Sequence, residues 1–239
     1  MDAVHIFITT FTTTIGALPV LLIRNLSHRW KDSLLAFTAG IMVAASTYGL
    51  IPSALKLSSM SVLAAGILLG TFTLMLLEIV VPHHDLQHSK NNRHVNIHLF
   101  LIAMALHNLP EGISVGMSYA SHYSDLGPVV AFAIGLQNLP EGFLIALFLF
   151  MQSVRGVKMV ILVSATAMAE FLAGMAGLYF GESFTSLVPY GLAFSAGAML
   201  FVVYKELIPE SHGDGNERTS TFSFILGFLI MTVLTVNLR

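Results

Sequence analysis

The five residues Asn-Leu-Pro-Glu-Gly occur twice in this 239-residue chain, at positions 108–112 and 138–142. Each copy lies within a stretch apolar enough to cross a membrane, so Glu111 and Glu141 are expected at membrane depth. A charged carboxylate at the centre of a bilayer costs about 2.5–3.5 kcal/mol on insertion scales. Two such carboxylates require a function, and the one we favour is binding of a metal ion.

The residues around each glutamate have the spacing of one helix face. His107 precedes Glu111 by four positions and Asn108 precedes it by three, so all three side chains adjoin on a helix. The second copy repeats this spacing 30 positions later, with glutamine in place of the histidine. The candidate metal ligands from the two copies are therefore His107, Asn108, Glu111, Gln137, Asn138 and Glu141.

Proline and small residues within the motif indicate how the two helices meet. Pro110 and Pro140 lack the backbone N–H, so each helix is expected to kink or unwind there. Freed backbone carbonyls at membrane depth must then be satisfied by protein, water or an ion. The small pairs Gly112/Gly116 and Gly142/Ala146 allow close helix approach, which would bring both motif glutamates to one cation.

The ligand types indicate the class of metal. Imidazole and carboxylate suit zinc, iron and similar divalent ions, and amide oxygens also admit manganese or cadmium. The chain has no cysteine, which argues against Cu(I) and excludes disulfides and thiolate sites. Weak amide ligands suit a protein that must release its metal, whereas structural zinc sites are closed.

Further titratable residues lie near the motif in the predicted spans. We interpret Glu170, near the middle of the sixth span, as a ligand or proton carrier rather than a protonated packing residue. Glu78 and Glu206 each precede a proline near an inner span end, where they either line an exit or are only solvated. A histidine-rich inner loop at 83–95 is interpreted as a transient metal-capture segment, the alternative being a hydrophilic loop without fixed ligands.

Composition determines the protein class. The chain is 55% hydrophobic and only 10% charged, whereas soluble domains are about 25% charged. We therefore predict an all-α polytopic membrane protein with a single transmembrane domain over 1–239, interpreted below as a transporter domain, and with no basic block for nucleic acid. Met1-Asp2-Ala3 carries no positive charge, so the first apolar run is expected to be retained rather than cleaved as a signal peptide. The eight predicted spans are 3–23, 33–55, 61–82, 96–119, 127–151, 157–180, 186–208 and 220–238.

The distribution of lysine and arginine predicts the orientation. With the N-terminus outside, the inner loops contain nine of the eleven Lys and Arg residues, and only Lys56 and Arg239 lie outside. Both termini are therefore expected on the outer side.

The sequence also contains an internal repeat. Residues 35–42 resemble 192–199, and the Leu-Ile-Pro at 50–52 recurs at 207–209, both at an offset of 157. Spans 2 and 7 run in opposite directions, and so do spans 4 and 5. The pattern predicts an inverted repeat that relates spans 1–3 to 6–8 and span 4 to span 5, as in transporters with a site near the membrane midplane.

These motifs resemble the ZIP (Zrt/Irt-like protein) family of divalent metal transporters. The resemblance rests on His107 to Gly112 in the fourth span and on the second Asn-Leu-Pro-Glu-Gly in the fifth. It extends to Ala169-Glu170, to Glu78 before Pro82-His83, and to Glu206-Leu207-Ile208-Pro209.

The resemblance implies a function and a ligand set. It implies transport of zinc, iron, manganese or cadmium into the cytoplasm through a site that is often binuclear, without a prosthetic group. It also implies a cell-membrane (inner-membrane) location and a homodimer, whose interface the residues do not place. Gln137 and Asn138 stand where other members have stronger ligands, and Lys205 stands where some have an acid. One implied metal would take His107, Glu111, Gln137 and Glu141, and the second Asn108, Glu111, Asn138, Glu141 and Glu170.

Two other functions fit the same residues. An intramembrane metal-dependent hydrolase would use zinc to activate water, but the chain lacks His-Glu-x-x-His. A passive cation channel would not saturate at low metal concentration. We therefore expect a transporter and not an enzyme.

Overall fold

The computed structural model describes residues 2–22, 27–80, 96–123, 125–212 and 215–237. Within these ranges the chain is helical and contains no strand. Eight helical segments are long and apolar enough to cross a membrane. This confirms the predicted all-α architecture and the number of spans.

The eight helices are numbered here in chain order. Five are uninterrupted: α3 (Met60–Val80), α4 (Ile97–Tyr119), α5 (Leu126–Met151), α6 (Val157–Ser183) and α8 (Glu217–Asn237). Three are composite: α1 (Asp2–Ala17, then a 3-10 turn at Leu18–Leu22), α2 (His28–Ala44, Ala45–Leu50 and Ile51–Leu57) and α7 (Val188–Val202, Val203–Leu207 and Ile208–Ser211). A short 3-10 turn at Thr185–Leu187 leads into α7.

The motif prolines do not interrupt their helices. Pro110 and Pro140 lie inside α4 and α5, and both helices continue beyond them. Of the two outcomes expected at these prolines, unwinding does not occur. The motif side chains are therefore presented from regular helix, with the spacing that the sequence predicts.

The irregular turns lie instead in α2 and α7, where the middle segment of each helix is a π-helix. The N–H of Ile51 donates to Ser46 O, and the N–H of Ile208 donates to Val203 O, five residues back in both cases. The next residue is a proline in each helix, and it cannot donate the following bond of an α-helix. The two turns are 157 positions apart, at the offset of the sequence repeat.

The helices pack in two groups. In the first group, α4 packs on α6, α1 packs on α5 and on α6, and α4 meets α5. In the second group, α2 packs on α8 and α3 packs on α7. Contacts between the groups are made chiefly by α4 with α7 and by α2 with α5. The two motif helices therefore lie together in the first group.

Two close backbone contacts between helices of the second group are related by the 157-residue offset. Gly40 of α2 lies against the backbone carbonyl of Phe224 in α8, and Gly197 of α7 lies against that of Ile67 in α3. Adding 157 to Gly40 and Ile67 gives Gly197 and Phe224. The same contact is therefore made twice, with the roles of the two helices exchanged.

The first group makes its own matched contacts. Gly112 of α4 lies against the carbonyl of Glu170 in α6, and Gly142 of α5 lies against the carbonyl of Thr13 in α1. The glycines differ by the motif offset of 30 and the carbonyl residues by 157. An inverted repeat that relates α1 to α6 and α4 to α5 would produce these contacts, so they are the geometry to expect if that sequence prediction is correct.

Candidate metal site

The sequence-predicted ligands meet at the centre of the first helix group. All seven side chains are at most 7% exposed. They come from α4 (His107, Asn108, Glu111), α5 (Gln137, Asn138, Glu141) and α6 (Glu170). The carboxylates of Glu111 on α4 and Glu141 on α5 are direct neighbours. The motif glycines do not make this contact, contrary to the sequence prediction: Gly112 and Gly116 lie against α6, and Gly142 lies against α1.

Each carboxylate of the site is bonded to an amide. Gln137 Nε2 donates to Glu111 Oε1. Asn108, with its amide oriented to suit its neighbours, donates to Glu141 Oε1 at 2.7 Å. Asn138 Nδ2 donates to Glu170 Oε1 at 2.7 Å. These three bonds hold the carboxylates in the protein interior without a lysine or arginine among the site residues.

Four buried oxygens of the site accept no hydrogen bond within the described part of the chain. They are Glu111 Oε2, Glu141 Oε2, Gln137 Oε1 and Asn138 Oδ1. Leaving a buried polar atom unsatisfied costs about 1–3 kcal/mol, and such atoms in a native fold require an explanation. Two carboxylate and two amide oxygens are suitable ligands for a divalent cation.

The amides are needed to complete the ligand set. Among the described residues, no three histidine, aspartate or glutamate side chains are arranged to hold a metal by themselves. A metal bound here would thus draw on the asparagine and glutamine oxygens as well. It would also compete with the amide–carboxylate hydrogen bonds, which favours reversible binding.

His107 is positioned differently from its counterpart Gln137. Its Nδ1 lies 2.9 Å from Ala103 O, so this nitrogen carries the proton that the carbonyl accepts. Its Nε2 lies 3.1 Å from Glu206 Oε2 of α7. The imidazole therefore links the candidate site to the second helix group. Glu206 contacts one of the predicted metal ligands, which its position near the end of a span did not indicate.

Thr13 is a site residue that sequence reasoning missed. Its hydroxyl lies 3.4 Å from Glu170 Oε2, and the carbonyl of the neighbouring Thr9 accepts from Asn138 Nδ2 at 3.2 Å. A threonine in an apolar helix is usually bonded to its own backbone, so the residue type gave no signal. The repeat gave one, because Thr13 and Glu170 are 157 positions apart.

The remaining sequence predictions fall in different places. The carboxylate of Glu78 lies 3.4 Å from Lys205 Nζ at the predicted inner ends of α3 and α7, outside the central cluster. The histidine-rich loop at 83–95 lies outside the described residues, so its metal-capture role stays a prediction.

Comparisons with known proteins identify a family for this chain. The profile of the family described as ZIP Zinc transporter matches residues 82–235. Zinc transporter GufA of Myxococcus xanthus is 35% identical over 95% of this chain and 94% of its own length. Zinc transporter ZIPB of Bordetella bronchiseptica is 34% identical over 95% of this chain and 77% of its length. Zinc transporter ZIP11 of Homo sapiens is 35% identical over 59% of this chain and 43% of its length.

These relatives are named as transporters and not as enzymes, so the hydrolase alternative is set aside. The eight membrane-spanning helices make the protein an integral, multi-pass membrane protein. The family profile and the two nearly full-length matches agree with the resemblance carried by the motif. The chain belongs to the ZIP zinc transporter family.

Proposed function

We propose that this protein carries divalent metal ions, zinc foremost, across the membrane into the cytoplasm through the buried site on α4, α5 and α6. The observation that carries this proposal is the group of four buried, unpartnered oxygens around two neighbouring carboxylates. The names of its relatives favour zinc. The mixed imidazole, carboxylate and amide ligands would also accept iron, manganese or cadmium.

The site has enough ligands for two ions. The first would take His107, Glu111, Gln137 and Glu141, and the second Asn108, Glu111, Asn138, Glu141 and Glu170. The shared glutamates would bridge the two positions. Each position contains an amide already hydrogen-bonded to one of its carboxylates, Gln137 to Glu111 in the first and Asn138 to Glu170 in the second, so a metal at either position would have to compete with such a bond.

The surroundings of the site support inward release. The lysine and arginine distribution predicts which side of the site faces inward. On that side, His107 contacts the carboxylate of Glu206. Toward the predicted outer side, α2 and α5 pack through buried apolar residues, among them Ala45, Val130 and Ile134. We infer both termini outside, a cell-membrane location, and movement of the α1/α4/α5/α6 group against the α2/α3/α7/α8 group during transport.

Uptake into liposomes provides the direct test. Purified protein should accumulate Zn²⁺ with saturation at low concentration, and Glu111→Ala should reduce uptake by about 100-fold or more, because loss of residues that merely support metal ligands already costs about 10–100-fold. The exposed Glu182→Ala on α6 is the matched control and should transport normally. Undiminished uptake by Glu111→Ala would refute the site, and uptake that rises linearly without saturation would indicate a channel.

A further inference from the structure

Lys205 and Glu206 are consecutive residues in the π-helical turn of α7, yet they reach different helices. Lys205 Nζ lies 3.4 Å from Glu78 Oε1 of α3, and Glu206 Oε2 lies 3.1 Å from His107 Nε2 of α4. One turn of α7 thus places the Lys205 ammonium group against the Glu78 carboxylate and the Glu206 carboxylate against His107.

These residues lie where a metal would leave the site. If release is inward, as the proposed function requires, a metal that leaves His107 meets Glu206 first. Glu78 of α3 is held beside the same turn of α7 through its ion pair with Lys205. Carboxylates bind divalent cations well, so two acids in succession could retain a metal that must be released.

An ammonium group paired with Glu78 would prevent such retention, because it occupies the carboxylate and does not bind metal itself. A charged lysine has three donors and no acceptor, so it cannot be a metal ligand but can occupy a carboxylate oxygen. The Lys205 side chain is 54% exposed and that of Glu78 is 24% exposed. Exposed pairs of this kind are weak, so this one would open and close readily as an ion passes.

A purely structural role explains the pair less well. α3 and α7 already pack through backbone contacts, with Gly70 against Phe194 O and Gly197 against Ile67 O. A weak pair at the helix ends adds little to that packing. We propose that Lys205 neutralises Glu78 and thereby keeps it from capturing the metal that leaves past Glu206.

The inference rests on the proposed function and is tested first by metal binding. In a Glu111→Ala background, which disables the central site, Lys205→Gln should raise zinc affinity in nanodiscs by about two- to fivefold. Lys205→Arg keeps the charge and should leave the affinity unchanged. Adding Glu78→Gln to Lys205→Gln should remove the gain. No gain, or a gain that survives Glu78→Gln, would overturn the inference.

Uptake supplies the second measurement. With Glu111 intact, Lys205→Gln should slow zinc uptake into liposomes, and Lys205→Gln/Glu78→Gln should restore it, because the retaining acid is gone. Slow uptake in both variants would indicate a structural role and contradict the inference. A failure of the proposed function is distinguishable, because it would leave Glu111→Ala with unaltered zinc binding, whereas the Lys205 comparison could still be measured.

Discussion

The α4–α6 pair and the α5–α1 pair are packed alike but bonded differently. Gly112 meets the carbonyl of Glu170 as Gly142 meets the carbonyl of Thr13. At these equivalent positions, however, α6 presents a carboxylate to the site and α1 presents a hydroxyl. Backbone packing is matched between the pairs, whereas the polar side chains on it are not.

The unequal side chains explain the hydrogen bonds of the site. Glu170 attracts the amide of Asn138, whereas Asn108 has no such acid at Thr13 and bonds to Glu141 instead. The two residues before the asparagines differ in the same way: Gln137 bonds within the site, and His107 reaches toward α7. The amide Gln137 is therefore bonded within the candidate site, whereas the imidazole of His107 connects the site to α7.

The matched packing can be tested by adding one methyl group to each half. In Gly112→Ala and in Gly142→Ala, the new Cβ would overlap a backbone carbonyl of the facing helix. Each substitution should destabilise the protein by about 1–3 kcal/mol, the usual cost of overpacking. Thermal unfolding in detergent would measure this loss.

Gly49→Ala is the control for this pair, because no atom lies within 4 Å of the added Cβ. It should leave the melting temperature unchanged or slightly higher, since alanine is the better helix former. Tolerance of alanine at one motif glycine but not at the other would contradict equal packing in the two halves.

The sequence predicts the helices and their contacts more completely than it predicts the hydrogen bonds between side chains. Hydrophobicity is sufficient to predict the eight spans, and the paired motifs are sufficient to predict the contact of α4 with α5. The motif glycines are expected at that contact from the sequence, but they pack α4 on α6 and α5 on α1 instead. The sequence also predicts the seven polar side chains that lie buried together on α4, α5 and α6, because polar groups at membrane depth are rare. It does not predict the partner of His107, since that contact joins α4 to α7 and depends on tertiary packing. Nor does it predict the π-turns, because a proline is compatible with several local conformations.

The pH dependence of zinc binding should depend on Glu170, the carboxylate that α6 contributes to the site and for which α1 has only a hydroxyl. Metal ligands must be deprotonated, so zinc affinity should fall as pH is lowered from about 8 to about 5, by about tenfold per pH unit for each proton displaced. Glu170→Gln removes one exchangeable carboxyl group and should make this dependence shallower. Competition binding with a zinc indicator at several pH values would measure both slopes.

Two outcomes of that titration would contradict the interpretation. A zinc affinity that stays constant over this pH range would argue against carboxylate ligands. An unchanged slope in Glu170→Gln, with the central site otherwise intact, would place Glu170 outside the ligand set. Thr13→Ser leaves the number of carboxyl groups unchanged and is the matched control for the slope.

The difference between His107 and Gln137 can be removed by one substitution. Gln137→His would replace a weak amide ligand by imidazole and should raise zinc affinity by about tenfold. The gain should be smaller for manganese, which prefers oxygen ligands. Parallel zinc and manganese titrations would measure it, and Gln137→Asn, which keeps the amide, is the control. An equal gain for both metals would contradict the predicted preference for zinc, and no gain for either metal would argue against a direct ligand role for this side chain.

The smallest expected effect concerns Thr13, the counterpart of Glu170. Thr13→Val keeps the shape of the side chain but removes the hydroxyl that lies 3.4 Å from Glu170 Oε2. One such hydrogen bond is worth about 0.5–1.5 kcal/mol, so zinc affinity should change by about two- to tenfold. Thr13→Ser retains the hydroxyl and should behave as the unaltered protein. If Val and Ser variants bind zinc equally, Thr13 only fills space, and the second half of the site consists of α4, α5 and α6 alone.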